Sequence, residues 1–399
     1  MKFPLSALIA FLALFLGLAG GVGLLLDWRL VLALQLARPW STVGHALVGG
    51  LVGLIFGGML LHRLLRPGPV SDGLAWAAFV AMGLLAVILP LTVIRDLLLW
   101  VWGIVAGGAA LAGAGGPVST EHLRAATAGM LAIAVGLVGV GLVNARRVPS
   151  LRRVAVPIAG LPPALHGLRI VQLSDLHVGP TIGADFLRAV VDRVRSIRPD
   201  LVVITGDLVD GPVAGLAGDV APLADLQAPL GRFFVTGNHE YYSGAAEWVE
   251  HLEAMGFRVL LNRHVVLGEG TGRLVLAGVT DHDAGRILPE HRSDPAAALA
   301  GAPAGLPRIL LAHQPRSAHA AQGLGIDLQI SGHTHGGQIW PWMHLVRLQQ
   351  PTVAGLDRVG DVRVYTSRGT GTWGPPLRLG APPEITVIEL VADEGAPAG

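Results

Sequence analysis

Five short clusters of Asp, Asn and His stand out in this 399-residue chain: Ser174-Asp175-Leu176-His177, Gly206-Asp207, Gly237-Asn238-His239-Glu240, His313-Gln314-Pro315 and Gly332-His333-Thr334-His335-Gly336-Gly337-Gln338. Their Asp, Asn and His residues offer two Asp carboxylates, one Asn amide and several imidazoles. That mix of N and O donors suits Zn, Mn or Fe, whereas a Mg or Ca cage would be built from oxygens alone. Seven ligands exceed what a single four-coordinate ion requires. Two ions sharing a carboxylate would use them all. Metal coordination can bring the pKa of a bound water to about 7, which makes hydrolytic chemistry available at neutral pH. The chain has no cysteine, so disulfides are impossible and a covalent thiolate is not part of the chemistry.

Singly, each cluster has a plainer reading. Asp-x-His at a strand end and Gly-Asp after one are common turns. Gly-Asn-His could be a left-handed turn, and His313 a satisfied core histidine. Their joint placement is more informative, because each follows an apolar, β-rich run. Arg169 to Leu173 leads to Asp175, Leu201 to Thr205 to Asp207, and Arg232 to Thr236 to Asn238. Ile309 to Ala312 leads to His313, and Leu328 to Ile330 to His333. In α/β sheets, sites form outside the carboxyl ends of the strands. Five strand ends therefore converge on one rim. Asp281-His282-Asp283 also follows a strand-like run, Leu274 to Gly278, and reads as a charged loop or a pocket wall.

The ordered motifs D-x-H, GD, GNH, H and GH-x-H resemble those of the calcineurin-like metallophosphoesterase family. SDLHVG, GNHEYY and GHTHGGQ with SRGTGTWGPPLRLGAPPEI are similar to its YkuE-type bacterial branch. The likeness covers about residues 165–390. It implies a four-layer α-β-β-α sandwich, two divalent metal ions and hydrolysis of phosphomonoester, phosphodiester or pyrophosphate bonds. It implies Asp175, His177, Asp207 and His335 on the first metal, and Asp207, Asn238, His313 and His333 on the second. Asp207 would bridge, and His239 would face the substrate without binding metal. Glu240 stands where many relatives carry Asp, a difference expected to leave the metal set untouched. The resemblance also implies that such domains often follow several transmembrane helices.

Composition supports that last point. Only 14% of residues are charged and 52% are hydrophobic, which is wrong for a soluble enzyme of this size. The residues 3–26, 39–62, 73–94, 97–120 and 125–145 carry no charge. A bilayer-spanning helix needs about 20 apolar residues. The stretch from Leu97 turns Gly-rich early, so it is a fifth span, an extension of the preceding helix, or an interfacial segment. Trp28, Trp40, Trp100 and Trp102 sit near span ends, as interfacial anchors do. The expected organisation is a transmembrane region over 1–145 with four or five helices, a linker over 146–163, the phosphoesterase domain over 164–392 and a disordered tail over 393–399.

With five spans, Arg29, Arg38, Arg95, Arg146, Arg147, Arg152 and Arg153 fall on the side of the soluble half, against Lys2, Arg63, Arg66 and Arg124, and with four spans the count is again seven against four. That excess points to a cytoplasmic catalytic domain. Residues 1–150 take nine of the 29 Lys and Arg but only four of the 28 Asp and Glu, so the soluble half is mildly acidic. No basic stripe appears there, which argues against a nucleic-acid partner. Among the charge-free stretches only His45 and His62 are ionisable, and both lie near ends, which disfavours a transporter or sensor. The anchor makes a lipid-linked or envelope phosphoester one candidate substrate. Trp340, Trp342, Met343 and Trp373 are read as packed core, with contact to an acyl chain as the alternative.

Overall fold

The computed structural model describes residues 5–65, 68–107 and 118–393. Two compact units divide at Val140/Gly141. The first holds apolar helices: α1 (Leu5–Leu30), α2 (Trp40–Leu64), α3 (Pro69–Gly107) and most of α4 (Thr120–Arg146). All four are long and apolar enough to cross a bilayer. The α3 helix runs unbroken through Arg95-Asp96, so residues 97–107 extend the preceding helix. That removes the five-span alternative among the described residues. At 1.5 Å per residue, 39 residues reach about 58 Å, well beyond a bilayer core of about 30 Å. Arg95 is accommodated by donating to Asp96 Oδ1 and to Thr127 Oγ1. The expected disordered tail lies, apart from Asp393, outside the described residues.

The second unit carries twelve strands in two six-stranded sheets. One sheet contains β1 (Ser150–Ile158), β2 (Arg169–Leu173), β3 (Leu201–Ile204), β4 (Arg232–Phe234), β5 (Arg258–Val259) and β12 (Glu384–Ala392), in the order β1-β12-β2-β3-β4-β5. The other contains β6 (Arg263–Leu267), β7 (Leu274–Gly278), β8 (Arg308–Leu311), β9 (Leu328–Ser331), β10 (Gly355–Val359) and β11 (Val362–Thr366), in the order β10-β11-β9-β8-β7-β6. The pairs β2–β3, β3–β4, β7–β8 and β8–β9 are parallel, so their carboxyl ends point the same way within each sheet.

Successive strand residues face opposite sides. Ile170, Leu201, Val203 and Phe233 meet Leu276, Ile309, Leu311 and Ile330 in one buried core between the sheets. Val171, Leu173, Val202 and Ile204 turn the other way, onto the helices α5 (Ala184–Ile197) and α8 (Ala245–Ala254), which follow α6 (Val213–Val220) and α7 (Asn238–Ser243). Leu310 and Ala312 pack outward with Ala298, Ala318 and Ala321 from two short helices. These are the layers of an α-β-β-α sandwich.

The stretch 146–163, expected as a linker, instead contributes β1. Its nine residues pair in parallel with β12. Arg152, Arg153 and Pro157 are tolerated because β1 is an edge strand with one side unpaired.

Candidate metal centre

The turns after β2, β3, β8 and β9, and the start of α7 after β4, meet at one rim. Asp175, His177, Asp207, His333 and His335 all adopt positive φ, between 50° and 70°. That region costs an ordinary residue of order 1–3 kcal/mol, and its enrichment at a site is a functional signature. The left-handed turns fold each side chain back across the strand end toward its neighbours.

Motif glycines permit the crowding. A Cβ on Gly332 would lie 1.9 Å from Ser174 Oγ and 2.2 Å from Asp175 Oδ2. A Cβ on Gly237 would lie 2.2 Å from Asp207 Oδ1.

Donor atoms of Asp175, His177 and His335 lie within 4.8 Å of one another, and so do those of Asp207, His313 and His333. His177 Nε2 is 3.0 Å from His335 Nε2, and His313 Nε2 is 3.2 Å from His333 Nδ1. The two groups meet at Asp207. Its Oδ2 is 3.0 Å from His313 Nε2 and 3.8 Å from His177 Nε2. Asn238 and His239 line the same cavity. The structure thus brings together every residue singled out in the motifs.

This donor set fits divalent cations. Asp175 Oδ2 and Asn238 Oδ1 are buried with no hydrogen-bond partner, which is costly for polar atoms unless something else satisfies them. Outer partners orient two of the rings. His177 donates from Nδ1 to Asp210 Oδ1 at 2.8 Å, and His313 from Nδ1 to the Thr205 carbonyl at 2.7 Å. Each bond leaves Nε2 as the ring nitrogen that could hold a metal. His335 differs, since its Nδ1 faces Arg378 Nη2 at 3.1 Å. Burial and then the Arg378 charge hold that ring well below its usual pKa. Burial pushes the Asp207 carboxyl up, but the charges of His313 and His239 overcome this and leave it well below the normal range.

Two residues acquire roles that motif spacing did not reveal. Asp210 Oδ1 accepts from both His177 Nδ1 and His239 Nδ1, the latter at 2.7 Å. Glu240 was expected to leave the metal set untouched, yet it holds the backbone of that set. Its carboxylate is buried and accepts from the amides of Asp207 (3.0 Å), Leu208 (2.8 Å) and Gly237 (2.6 Å). As the third residue of α7 it reaches back to the amide of the N-cap residue Gly237, the acid half of a capping box.

Of the Asp281–Asp283 cluster, Asp281 is buried against Gln314 and Asp283 lines the cavity. The core reading of the tryptophans is corrected. Trp340, Trp342 and Trp373 are exposed, Trp342 and Trp373 on loops that line the cavity, while Met343 is half-buried.

A family model described as calcineurin-like phosphoesterase matches residues 168–337. The chain is 37% identical over 269 residues to a metallophosphoesterase of Campylobacter jejuni, covering 65% of this chain and 68% of that protein. The chain belongs to the calcineurin-like metallophosphoesterase family. Another member, YkuE of Bacillus subtilis, is 32% identical over 238 residues, covering 58% of this chain and 81% of YkuE. A transmembrane protein with metallophosphoesterase domain from Danio rerio is 44% identical over 259 residues, covering 63% of this chain and 59% of the fish protein. The chain therefore spans about three fifths of that relative's length.

Proposed function

We propose that this metallophosphoesterase is a membrane-anchored phosphoester hydrolase that works with two divalent cations. Asp175, His177, Asp207 and His335 would hold one, and Asp207, Asn238, His313 and His333 the other. The observation that carries this reading is the Asp207 carboxylate, which faces an imidazole from each group with the same oxygen. When bound, the cations supply Lewis acidity and make a water-derived nucleophile available at neutral pH.

The chain's own residues do the rest. Asp207 and Asp175 neutralise and fix the cations' positions. Asp210 holds His239 by Nδ1, so Nε2 is the ring nitrogen left to protonate the departing oxygen. Burial disfavours a charged His239, but Asp207 and the Asp210 hydrogen bond outweigh it and raise the pKa to about 9. A ring held at Nδ1 by a carboxylate, with Nε2 left open, suits a general acid.

The arginine excess at the junction with the soluble half supports a cytoplasmic catalytic domain. Zn, Mn and Fe all suit the donors. The test is hydrolysis of bis-p-nitrophenyl phosphate by detergent-purified protein with added Mn²⁺, alongside bound-metal analysis. Full metal occupancy with no turnover of mono- or diesters would sink the enzymatic reading and favour a regulatory metal-binding domain.

A further inference from the structure

The cavity beside the metal centre has a volume of about 490 Å³, far more than a phosphate group fills. Its walls divide sharply. The floor is the His and Asp cluster. No lysine or arginine is among the described residues that line it. A nucleotide, polyphosphate or multiply phosphorylated sugar would bring negative charge beyond the one phosphate the cations can meet. Apart from His239, no basic side chain on these walls beyond the metal cluster would answer that charge.

Beside the polar Asp283, Thr334, Gln338 and Gln349, the walls offer apolar surface. The His239 ring lies 5.3 Å from Tyr242 and 6.0 Å from Trp373, edge-on to both. Tyr242 and Trp373 are 66% and 55% exposed. Ile339 and Pro375 line the same cavity. From its mouth the chain continues into a short helical turn, Met343–Val346, with no buried side chain. Trp342, Leu345 and Leu348, spaced every three residues along one side, are 38%, 54% and 84% exposed. Contiguous exposed apolar surface of this kind marks a binding site for something apolar.

We infer that the site takes a phosphoester whose single phosphate sits on the metal cluster and whose hydrocarbon chain lies along Tyr242, Trp373, Trp342 and Leu345. This rests on the phosphoesterase reading above and names its substrate class as lipid-like. The chain packs beside His239, so it belongs to the departing alcohol. The four membrane-length helices in the same polypeptide are consistent with such a substrate.

The test uses the full-length, Mn²⁺-loaded protein in detergent and aryl phosphoesters bearing para-alkyl chains of one to eight carbons. Their phenols have nearly constant pKa, so only contact with the wall changes along the series. Mono- and methyl-diester forms are both assayed for phenol release. The expected result is a kcat/KM that rises about fourfold for each methylene that leaves water, until the wall is filled. In Trp342→Ala and Trp373→Ala the ratio of longest to shortest chain falls toward one. A flat or falling series, with bis-p-nitrophenyl phosphate still hydrolysed, overturns the lipid-like substrate and leaves the phosphoesterase. An unchanged slope in both variants also overturns it, since partition into micelles alone would then explain the trend. If no ester is hydrolysed, bis-p-nitrophenyl phosphate included, the phosphoesterase reading itself fails.

Discussion

Removing the Glu240 carboxylate should damage the metal centre without touching a ligand. Its two oxygens accept three backbone amides, those of Asp207, Leu208 and Gly237, and the group is fully buried. In Glu240→Ala these amides have no acceptor and are shielded from water. Each buried unsatisfied donor costs about 1–3 kcal/mol, so the loss is at least about 3 kcal/mol. Glu240→Gln is graded. If the amide oxygen keeps the pair at Asp207 and Gly237, the NH₂ faces Leu208 N–H, and one bond is lost for about 1–3 kcal/mol. For a domain of this size 1 kcal/mol moves Tm by about 2–4 °C. The alanine variant should therefore melt at least about 6 °C lower and the glutamine variant a few degrees lower, followed by tryptophan fluorescence. Both should retain metal more weakly, because the turns carrying Asp207 and Asn238 are no longer tied together. A Glu240→Ala protein that melts within 2 °C of wild type and binds Mn²⁺ equally would refute the clamp.

Other substitutions separate the roles in the site. Asp207→Asn should lose bound metal and activity together, as read by elemental analysis and phosphodiester hydrolysis. His239→Gln should keep its metal and lose about 10²–10⁴-fold in rate. An empty site in that variant would contradict the role given to His239. Asp210→Asn, whose neutral amide oxygen is a weaker acceptor for the two imidazoles than the carboxylate, should reduce metal affinity or rate about 10–100-fold. Gly332→Ala should displace Ser174 and Asp175 and deplete bound metal even where circular dichroism stays unchanged.

The strand ends were legible because their cause is local. An apolar β-rich run followed by a ligand-bearing turn is written in consecutive residues, and β2, β3, β4, β8 and β9 all lie within a few residues of expectation. What was hidden depended on distant partners. Ser150–Ile158 reads as a basic, proline-bearing connector until β12, more than two hundred residues later, supplies its hydrogen bonds. Arg95-Asp96 reads as a break between spans, yet the helix continues because Thr127 and Asp96 meet the guanidinium. Asp210 looks like turn chemistry, and only folding places it between two imidazoles. Glu240 acts on backbone amides, which no side-chain pattern records. Trp340, Trp342 and Trp373 lie exposed on loops, where periodicity carries no information.

The two sheets meet at the metal centre with unequal gifts. The sheet containing β2, β3 and β4 brings Asp175, His177, Asp207 and Asn238, and the sheet containing β8 and β9 brings His313, His333 and His335. Polar stitches already cross the seam there: Gln172 Nε2 to the Ser331 carbonyl, and the His333 amide to Asp175 Oδ1, both at 2.8 Å. A cation held from both sides would then be a rivet as well as a reagent. It would resist the sliding of one sheet over the other, so loading the site would fasten the sandwich at this end.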